Sequence, residues 1–251
     1  REKVKMRFGG RLKAMVSGGA PLNIQVGIFF TALGLRLLQG YGQTEAGPVI
    51  SCNPSTKIKL DTVGPALHSV DVKIAEDGEI LVRGPLLMNG YWKQPDTTQD
   101  TIKDGWLHTG DIGELDGDGY ITITDRKKDI IVLSGGDNIS PQRVEGVLGL
   151  EPEIAQAMVV GDGRKHLVAL LVPSEQTREL QTSSSDEHAL RKIIGDAVAR
   201  ANSTLSVIEQ VRGFSVVDDP FTVDNEMLTP TLKNRRHKIL QNYAEAIETL
   251  Y

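Results

Sequence analysis

Residues 12–50 alternate short apolar stretches with glycine-rich breaks. This texture is typical of α/β structure, because glycine interrupts helices and strands where the chain turns. Strand-like segments flank one apolar run whose spacing of i, i+4, i+5 and i+8 predicts a helix with a buried stripe. The residues of this stripe are Ile24, Ile28, Phe29, Ala32 and Leu33.

Residues 51–125 change to short alternating strands separated by turn signals. Asp77 and Gly78 stand between two such segments, and an Asp-Gly pair in this setting is a strong sign of a β-hairpin. The sequence DGDGY at residues 116–120 marks a second turn before another strand. This region therefore predicts a small β subdomain.

Residues 126–251 predict a separate α+β domain. The charged residues 125–129 interrupt two β-rich pieces, which is typical of a linker between domains. Ser140 and Pro141 predict a helix start, since serine caps helices and proline suits the first turn. The later pattern predicts a hairpin over residues 156–173, an amphipathic helix over 187–208, a strand over 214–217 and a last helix from about Thr231.

Composition and charge narrow the class of protein. The 251 residues, 39% hydrophobic and 24% charged, are typical of a globular chain. The formal charge of -5 provides no global positive field for nucleic acid. Polar residues break the apolar stretch from Ile24 to Leu38, which is too short for a membrane span of about 20 residues. Cys52 has no cysteine to pair with, so we expect a reducing, cytoplasmic setting.

Several common site motifs are excluded by single residues. Glu45 stands where the dinucleotide-binding fingerprint needs its third glycine, and the phosphate loop G-x-x-x-x-G-K-[ST] does not occur. Asp116 and Asp118 imitate the start of a calcium loop, but Tyr120 occupies its fifth position, which favours a hairpin turn. No G-x-S-x-G segment supports a serine hydrolase.

Five polar, glycine-rich clusters remain as candidate sites. In GYGQTE, Tyr41 could stack on a base, Thr44 could bind a phosphate and Glu45 could hold Mg²⁺, or the tyrosine could simply pack in a loop. In GWLHTGD, Asp111 could accept two hydrogen bonds from sugar hydroxyls or merely cap a turn. A basic helix face accounts for the arginines of LKNRRHK but not for Lys233.

These clusters, in this order, resemble the adenylate-forming (AMP-binding) superfamily of acyl-CoA synthetases, luciferases and peptide-synthetase adenylation domains. The resemblance covers essentially the whole chain. The segments VSGGAPL, GYGQTEAGP, GYWKQPD, GWLHTGD and DRKKDIIVLSGGDNISP are most similar to those of long-chain fatty-acid CoA ligases. The implied fold is the end of an N-terminal α/β region over residues 1–50, a β subdomain over 51–125 and a mobile C-terminal α+β domain over 126–251.

The resemblance also implies roles for individual residues. The family usually has glycine immediately before its adenylation lysine, where this chain has Leu232. The nucleotide-binding residues would be Gly18, Gly19 and Ala20 along the adenine, Gly40, Tyr41 and Gly42 with Tyr41 stacked on the base, Thr44 and Glu45 at the phosphates and Mg²⁺, Asp111 at the ribose, and Arg126. The remaining roles would be the hinge for Lys128, the CoA tunnel for Ser134, Gly135 and Gly136, and adenylation for Lys233.

The implied activity is the ATP-dependent conversion of a long-chain fatty acid to acyl-AMP, followed by transfer to CoA, with Mg²⁺ as metal. An adenylating enzyme for another carboxylate, a luciferase-type oxygenase and a nucleotide-binding module without turnover remain alternatives. The family's upstream phosphate loop, its acyl pocket and an initiator methionine are not found here. We therefore expect an inactive C-terminal fragment that self-associates, contacts membranes only peripherally through the acyl substrate, and does not bind nucleic acid.

Overall fold

The computed structural model describes residues 1–184 and 187–251, and the side chains of 180–187 are left out. The chain divides into two compact units, Arg1–Lys128 and Asp129–Tyr251. The helices of the first unit are α1 (Glu2–Arg7), α2 (Ile24–Ala32) and α3 (Pro95–Thr101), and its strands are β1 (Met15–Ser17), β2 (Leu37–Tyr41), β3 (Ser51–Cys52), β4 (Asp71–Ile74), β5 (Glu79–Arg83), β6 (Ile102–Lys103), β7 (Trp106–Leu115) and β8 (Ile121–Arg126).

The first unit begins with a small sheet in the order β1-β2-β3, in which β1 and β2 are parallel. Helix α2 connects these two strands, as a parallel pair requires, and the side chain of Asn23 caps its start. The predicted helix is confirmed, but its buried stripe is wrong. Phe29 is 59% exposed, Ile28 is 45% exposed, and Gly27 is the one buried residue of the helix. Within this unit, α2 is apolar on more sides than a three-stranded sheet can cover.

The second part of this unit is an antiparallel sheet in the order β4-β5-β7-β6, with β8 paired to β7. Both predicted hairpins are confirmed: β4 pairs with β5 around Gly78, and β7 pairs with β8 around residues 116–120. Lys57 and Lys59 bind the carboxylates of that second turn, in agreement with a hairpin rather than a calcium loop. The core of the unit contains Tyr41, Ala46, Ile50, Ile80, Val82, Leu107 and Ile121, so it joins the two sheets.

The second unit is built around a sheet in the order β11-β12-β13, with β12 antiparallel to β11 and parallel to β13. Its strands are β9 (Ile131–Val132), β10 (Asn138–Ile139), β11 (Ile154–Val160), β12 (Leu167–Pro173) and β13 (Val211–Val216), and its helices in the described residues are α4 (Pro141–Leu148), α5 (Glu175–Ser184), α6 (Glu187–Asn202), α7 (Arg236–Asn242) and α8 (Ala244–Glu248).

Every residue of β12 is buried, because the sheet is covered on both faces. Successive side chains of a strand point to opposite faces. Accordingly, Leu167, Ala169 and Leu171 pack in one core with residues of α4 and α6, whereas Val168 and Leu170 pack in a second core with residues of α7 and α8. The α/β and α+β fold class predicted from the sequence is confirmed.

Two helix predictions for this unit need adjustment. Ser140 caps α4 as predicted, because its side chain accepts a hydrogen bond from the Arg143 N–H. Helix α6 ends at Asn202 rather than at residue 208. The last helical segment begins at Arg236 rather than near Thr231 and is divided into α7 and α8. Lys233 therefore lies in a turn before the helix.

Candidate functional site

The first two glycine clusters lie side by side at the ends of β1 and β2. A Cβ atom added to Gly18 would lie 3.2 Å from the Gly40 carbonyl oxygen, and Gly18, Gly19 and Ala20 are all exposed. Gly19 has a φ of +83°, which favours glycine. The pairing of parallel strands therefore presents an open backbone from one cluster beside the other.

The chain folds back tightly after β2, and this explains one glycine of GYGQTE without any ligand. A Cβ atom at Gly42 would lie 1.8 Å from the Pro48 carbonyl oxygen, so no side chain fits there. Thr44 to Ala46 then form a short 3-10 turn in which Thr44 is exposed. The nucleotide-binding roles of Gly42 and Thr44 stay predictions.

Three distant segments meet at Asp111. Its position on β7 is directly opposite Arg126 on β8, and the Arg126 Nε donates to the Asp111 Oδ1 at 3.0 Å. The Tyr41 hydroxyl donates to the Asp111 Oδ2 at 2.6 Å. Asp111 itself is 8% exposed. The structure therefore brings together three residues that the sequence assigned to one nucleotide site.

Tyr41 carries a hydrogen-bonding role that the sequence did not indicate. Burial raises the pKa of its phenol well above the ordinary value, and the charge of Asp111 raises it further. The hydroxyl therefore stays protonated and acts as a donor. The ring packs in the core of the first unit and is 8% exposed, so the predicted stacking on a base stays a prediction.

Glu45 contacts a second motif, GYWKQPD. The Tyr91 hydroxyl donates to the Glu45 Oε1 at 2.8 Å, and the Met88 N–H donates to the Glu45 carbonyl oxygen at 2.9 Å. The nearby Gln43 has a buried amide nitrogen with no hydrogen-bond partner among the described residues, which is unusual for a buried polar group. This unpaired donor lies within the motif assigned to the phosphates.

Glu45 fits the donor set that Mg²⁺ uses beside a nucleotide. Among the described residues, no group of three or more His, Cys, Asp and Glu side chains forms a complete metal site. Mg²⁺ usually retains waters and is bound by one or two carboxylates together with substrate phosphates. A single carboxylate is therefore compatible with the predicted metal role of Glu45.

The segment before the predicted hinge is fixed to the first unit. Lys127 Nζ lies 2.6 Å from Asp77 Oδ2 and 3.1 Å from Glu79 Oε2, and the Lys127 N–H donates to the Gly110 carbonyl oxygen at 2.8 Å. Lys128, the last residue of the unit, is exposed. These contacts fix residue 127 to the first unit, and the hinge role of Lys128 stays a prediction.

The residues assigned to the CoA tunnel form an exposed loop between β9 and β10. Ser134, Gly135 and Gly136 are all exposed, and Gly136 has a φ of +89°. The Ser134 N–H donates to the Arg164 carbonyl oxygen at 2.8 Å, which anchors the start of the loop. The role of this loop at the CoA tunnel stays a prediction.

Lys233 lies in an exposed tight turn. The Leu232 N–H donates to the Thr229 carbonyl oxygen, and the Thr229 N–H donates to the Lys233 carbonyl oxygen, both at 2.8 Å. Leu232 has a φ of +60°, a conformation that glycine adopts without strain. The Lys233 ammonium has no hydrogen-bond or ion-pair partner in the part of the chain that is described.

Contacts on both sides hold this turn to the body of the second unit. The Asn234 side chain donates to the Ala157 carbonyl oxygen at 3.1 Å. Arg236 donates to Glu145 and to the Val159 carbonyl oxygen. Burial raises the pKa of Glu145 despite the charge of Arg236. Lys233 therefore projects from a turn that is fixed by buried contacts.

Comparison with known proteins identifies the family. Residues 1–92 match the sequence model of the AMP-binding enzymes, and residues 128–251 match the model of the AMP-binding enzyme C-terminal domain. The chain belongs to the AMP-binding enzymes. The resemblance inferred from its motifs is thus confirmed.

Relatives of this AMP-binding enzyme include acid–CoA ligases. The chain is 36% identical over 261 residues to the long-chain-fatty-acid–CoA ligase FadD15 of Mycobacterium bovis. This alignment covers 99% of the chain and 44% of the relative. It spans less than half the length of the first curated relatives that it matches.

Solved structures of an adenylation domain and of a CoA synthetase are also similar to the chain. The adenylation domain of a carboxylate reductase from Mycobacterium chelonae has a TM-score of 0.84 and 28% identity, and covers 100% of this chain and 41% of its own. An O-succinylbenzoate CoA synthetase of Bacillus subtilis in complex with AMP has a TM-score of 0.71 and 28% identity. The match covers 90% of this chain and 45% of the synthetase chain.

Proposed function

We propose that the protein converts a long-chain fatty acid and ATP to acyl-AMP and pyrophosphate, and then transfers the acyl group to CoA. The observation that carries this proposal is the meeting of Tyr41, Asp111 and Arg126 from three separate motifs. A carboxylate has about four acceptor sites. Asp111 therefore retains capacity for two ribose hydroxyls after binding Tyr41 and Arg126.

The first step needs electrostatic stabilisation. The fatty-acid carboxylate attacks the α-phosphate, and negative charge accumulates on the phosphoryl oxygens as pyrophosphate leaves. A cation placed beforehand near those oxygens stabilises the transition state without reorganisation. Lys233 suits this role because its ammonium is exposed and unpaired among the described residues. Glu45 would hold Mg²⁺, which supplies further charge neutralisation at the phosphates.

The second step needs a different surface at the acyl carbon. The CoA thiol must reach the acyl carbon of the acyl-AMP, which requires the surface that bears Lys233 to move away first. We propose that the second unit, Asp129–Tyr251, rotates about Lys128 and presents Ser134, Gly135 and Gly136 to the pantetheine. The fixed position of Lys127 supports a pivot at Lys128.

The 251-residue chain alone is expected to be inactive, because the ligases that it resembles are more than twice as long. Its exposed apolar residues on α2, such as Phe29 at 59%, favour self-association in isolation. We propose a cytoplasmic location, with membrane contact only through the acyl substrate. No helix in the described ranges is long and apolar enough to cross a membrane.

Adenylation of a different carboxylate is the second candidate. It is favoured by the similarity to adenylating enzymes named for other acids, including O-succinylbenzoate. The two candidates share the residues that bind nucleotide and differ only in the acid that they accept.

Product analysis separates these candidates. The complete encoded protein would be incubated with ATP, Mg²⁺, CoA and a panel of long-chain, short-chain, aryl and amino acids, and the products measured by mass spectrometry. Long-chain acyl-CoA and AMP are the expected products. A thioester formed only from another class of acid would support the second candidate, and no adenylate from any acid would contradict both.

A further inference from the structure

Tyr91 makes a contact to which no role has been assigned so far. Its hydroxyl is a donor to Oε1 of Glu45 at 2.8 Å. In the described chain, the second oxygen of Glu45 has no protein partner.

The Tyr91 backbone is itself fixed by α3. Its N–H donates to Thr98 Oγ1 at 2.9 Å, and the same oxygen donates to the Gln94 carbonyl oxygen at 2.8 Å. A Cβ atom at Gly90 would lie 2.8 Å from Thr98 Cγ2, so the preceding residue packs closely against the helix. The phenol therefore reaches Glu45 from a rigid support.

The turn that carries Glu45 is held by the same segment of chain. Met88 donates its N–H to the Glu45 carbonyl oxygen at 2.9 Å. A Cβ atom at Gly47 would lie 2.8 Å from the Leu86 carbonyl oxygen. Residues 86–91 thus contact both the backbone and the side chain of Glu45.

We propose that Tyr91 is a positioning residue for the metal ligand Glu45. The phenol binds one carboxylate oxygen and leaves the other to bind Mg²⁺ in a single orientation. Removing a group that hydrogen-bonds to a metal ligand, without binding the metal itself, typically lowers metal affinity about 10- to 100-fold. The inference rests on the proposed function, because it takes Glu45 as the Mg²⁺ ligand of bound ATP.

The test is ATP binding by isothermal titration calorimetry, with Mg²⁺ and with EDTA, on the complete encoded protein. In Tyr91→Phe, we expect the gain in affinity from Mg²⁺ to fall about 10-fold, while affinity in EDTA is unchanged. Tyr120→Phe is the matched control, because it also loses one hydroxyl hydrogen bond, to the Lys57 carbonyl oxygen. In a Glu45→Gln background, Tyr91→Phe should have no further effect.

The outcomes separate this inference from the proposed function. A wild-type protein that binds no ATP would overturn both. If Mg²⁺ increases the ATP affinity of the wild-type protein and of Tyr91→Phe to the same extent, only the positioning role is overturned. Equal losses with Mg²⁺ and with EDTA would show a merely structural role and would also overturn it.

Discussion

Leu232 departs from the family pattern of the sequence analysis, which has glycine here, and it adopts a left-handed backbone conformation. The turn at Thr229–Leu232 places a left-handed residue directly before Lys233, and in hairpins of this kind that position favours glycine. The leucine side chain is 71% exposed, so packing contributes little to offset the strain. The position of Lys233 is therefore retained at a cost in stability.

Leu232→Gly is expected to stabilise the protein by about 1 kcal/mol, because a left-handed conformation costs a non-glycine residue roughly 1–2 kcal/mol and the added flexibility of the unfolded chain returns part of the gain. Urea unfolding measures the change. Leu150→Gly is the control, since Leu150 is also exposed but has no positive φ, and it should destabilise. A loss of stability in Leu232→Gly would show that the leucine makes favourable contacts in solution.

Glu79 is a second residue whose surroundings define its chemistry. It is 5% exposed. Although burial raises its pKa, hydrogen bonds from the Gly110 N–H, His108 and Lys127 keep that pKa below the ordinary 4.5. A depressed pKa contributes stability above the ordinary value, and this contribution is lost as the pH falls through the lower folded-state value.

Glu79→Gln should therefore destabilise the protein by about 2 kcal/mol at pH 7, and the difference from wild type should shrink as the pH falls from 5 toward 3. Thermal unfolding at a series of pH values provides the measurement. The other titratable groups around this carboxylate are Asp77, His108 and Lys127. Glu76→Gln, at an exposed position, is the control for a general effect of removing one negative charge. A constant difference across this range would contradict the assignment.

At the scale of elements, Glu145 and Arg236 join α4, β11 and the start of α7. Their side chains are 15% and 18% exposed, and Glu145 also accepts from the Val159 N–H at 2.9 Å. Removing one partner of a buried pair leaves the other charge uncompensated. The pair therefore holds the start of α7, and with it the turn of Lys233.

Arg236→Met should reduce the free energy of unfolding by about 3 kcal/mol. The double variant Glu145→Met with Arg236→Met should recover part of this loss, because no unpaired charge remains buried. A double-mutant cycle from urea unfolding would measure the coupling. Additive effects of the two substitutions would contradict a direct interaction.

The sequence predicted elements well where local chemistry determines them. The Asp77–Gly78 turn and the Ser140 cap are set by neighbouring residues, and both are confirmed. The start of the last helix was predicted near Thr231 rather than at Arg236, because the turn before it is held by tertiary contacts, including the hydrogen bond from Asn234 to Ala157 of β11. The apolar stripe of α2 was read as buried, but periodicity does not show how much of a helix its neighbours cover.

The candidate site follows the same division. Motif order predicted that Tyr41, Asp111 and Arg126 belong together, and strand pairing joins them. The contacts of Tyr91 and Glu79 were missed, since each depends on a tertiary approach across 46 or 31 residues. A tyrosine within GYWKQPD and a glutamate at the head of a buried strand were the available signals.

At the scale of the whole molecule, the proposed division of labour assigns one step to each of two loops. Lys233→Ala should abolish acyl-AMP formation while thioester formation from supplied acyl-AMP is retained. Single-turnover assays of the two half-reactions measure this separation. Lys238→Ala is the control, because Lys238 is paired with Glu226 and lies on α7 beyond the turn. Equal loss of both half-reactions would contradict the division of labour.

The central claim is that this protein activates a carboxylate with ATP. The most direct measurement is fatty-acid-dependent exchange of labelled pyrophosphate into ATP. It would be made on the 251-residue chain and on the complete protein encoded by its gene. We predict exchange with palmitate by the complete protein and none by the 251 residues alone. No exchange by the complete protein with any carboxylate tested would contradict the account.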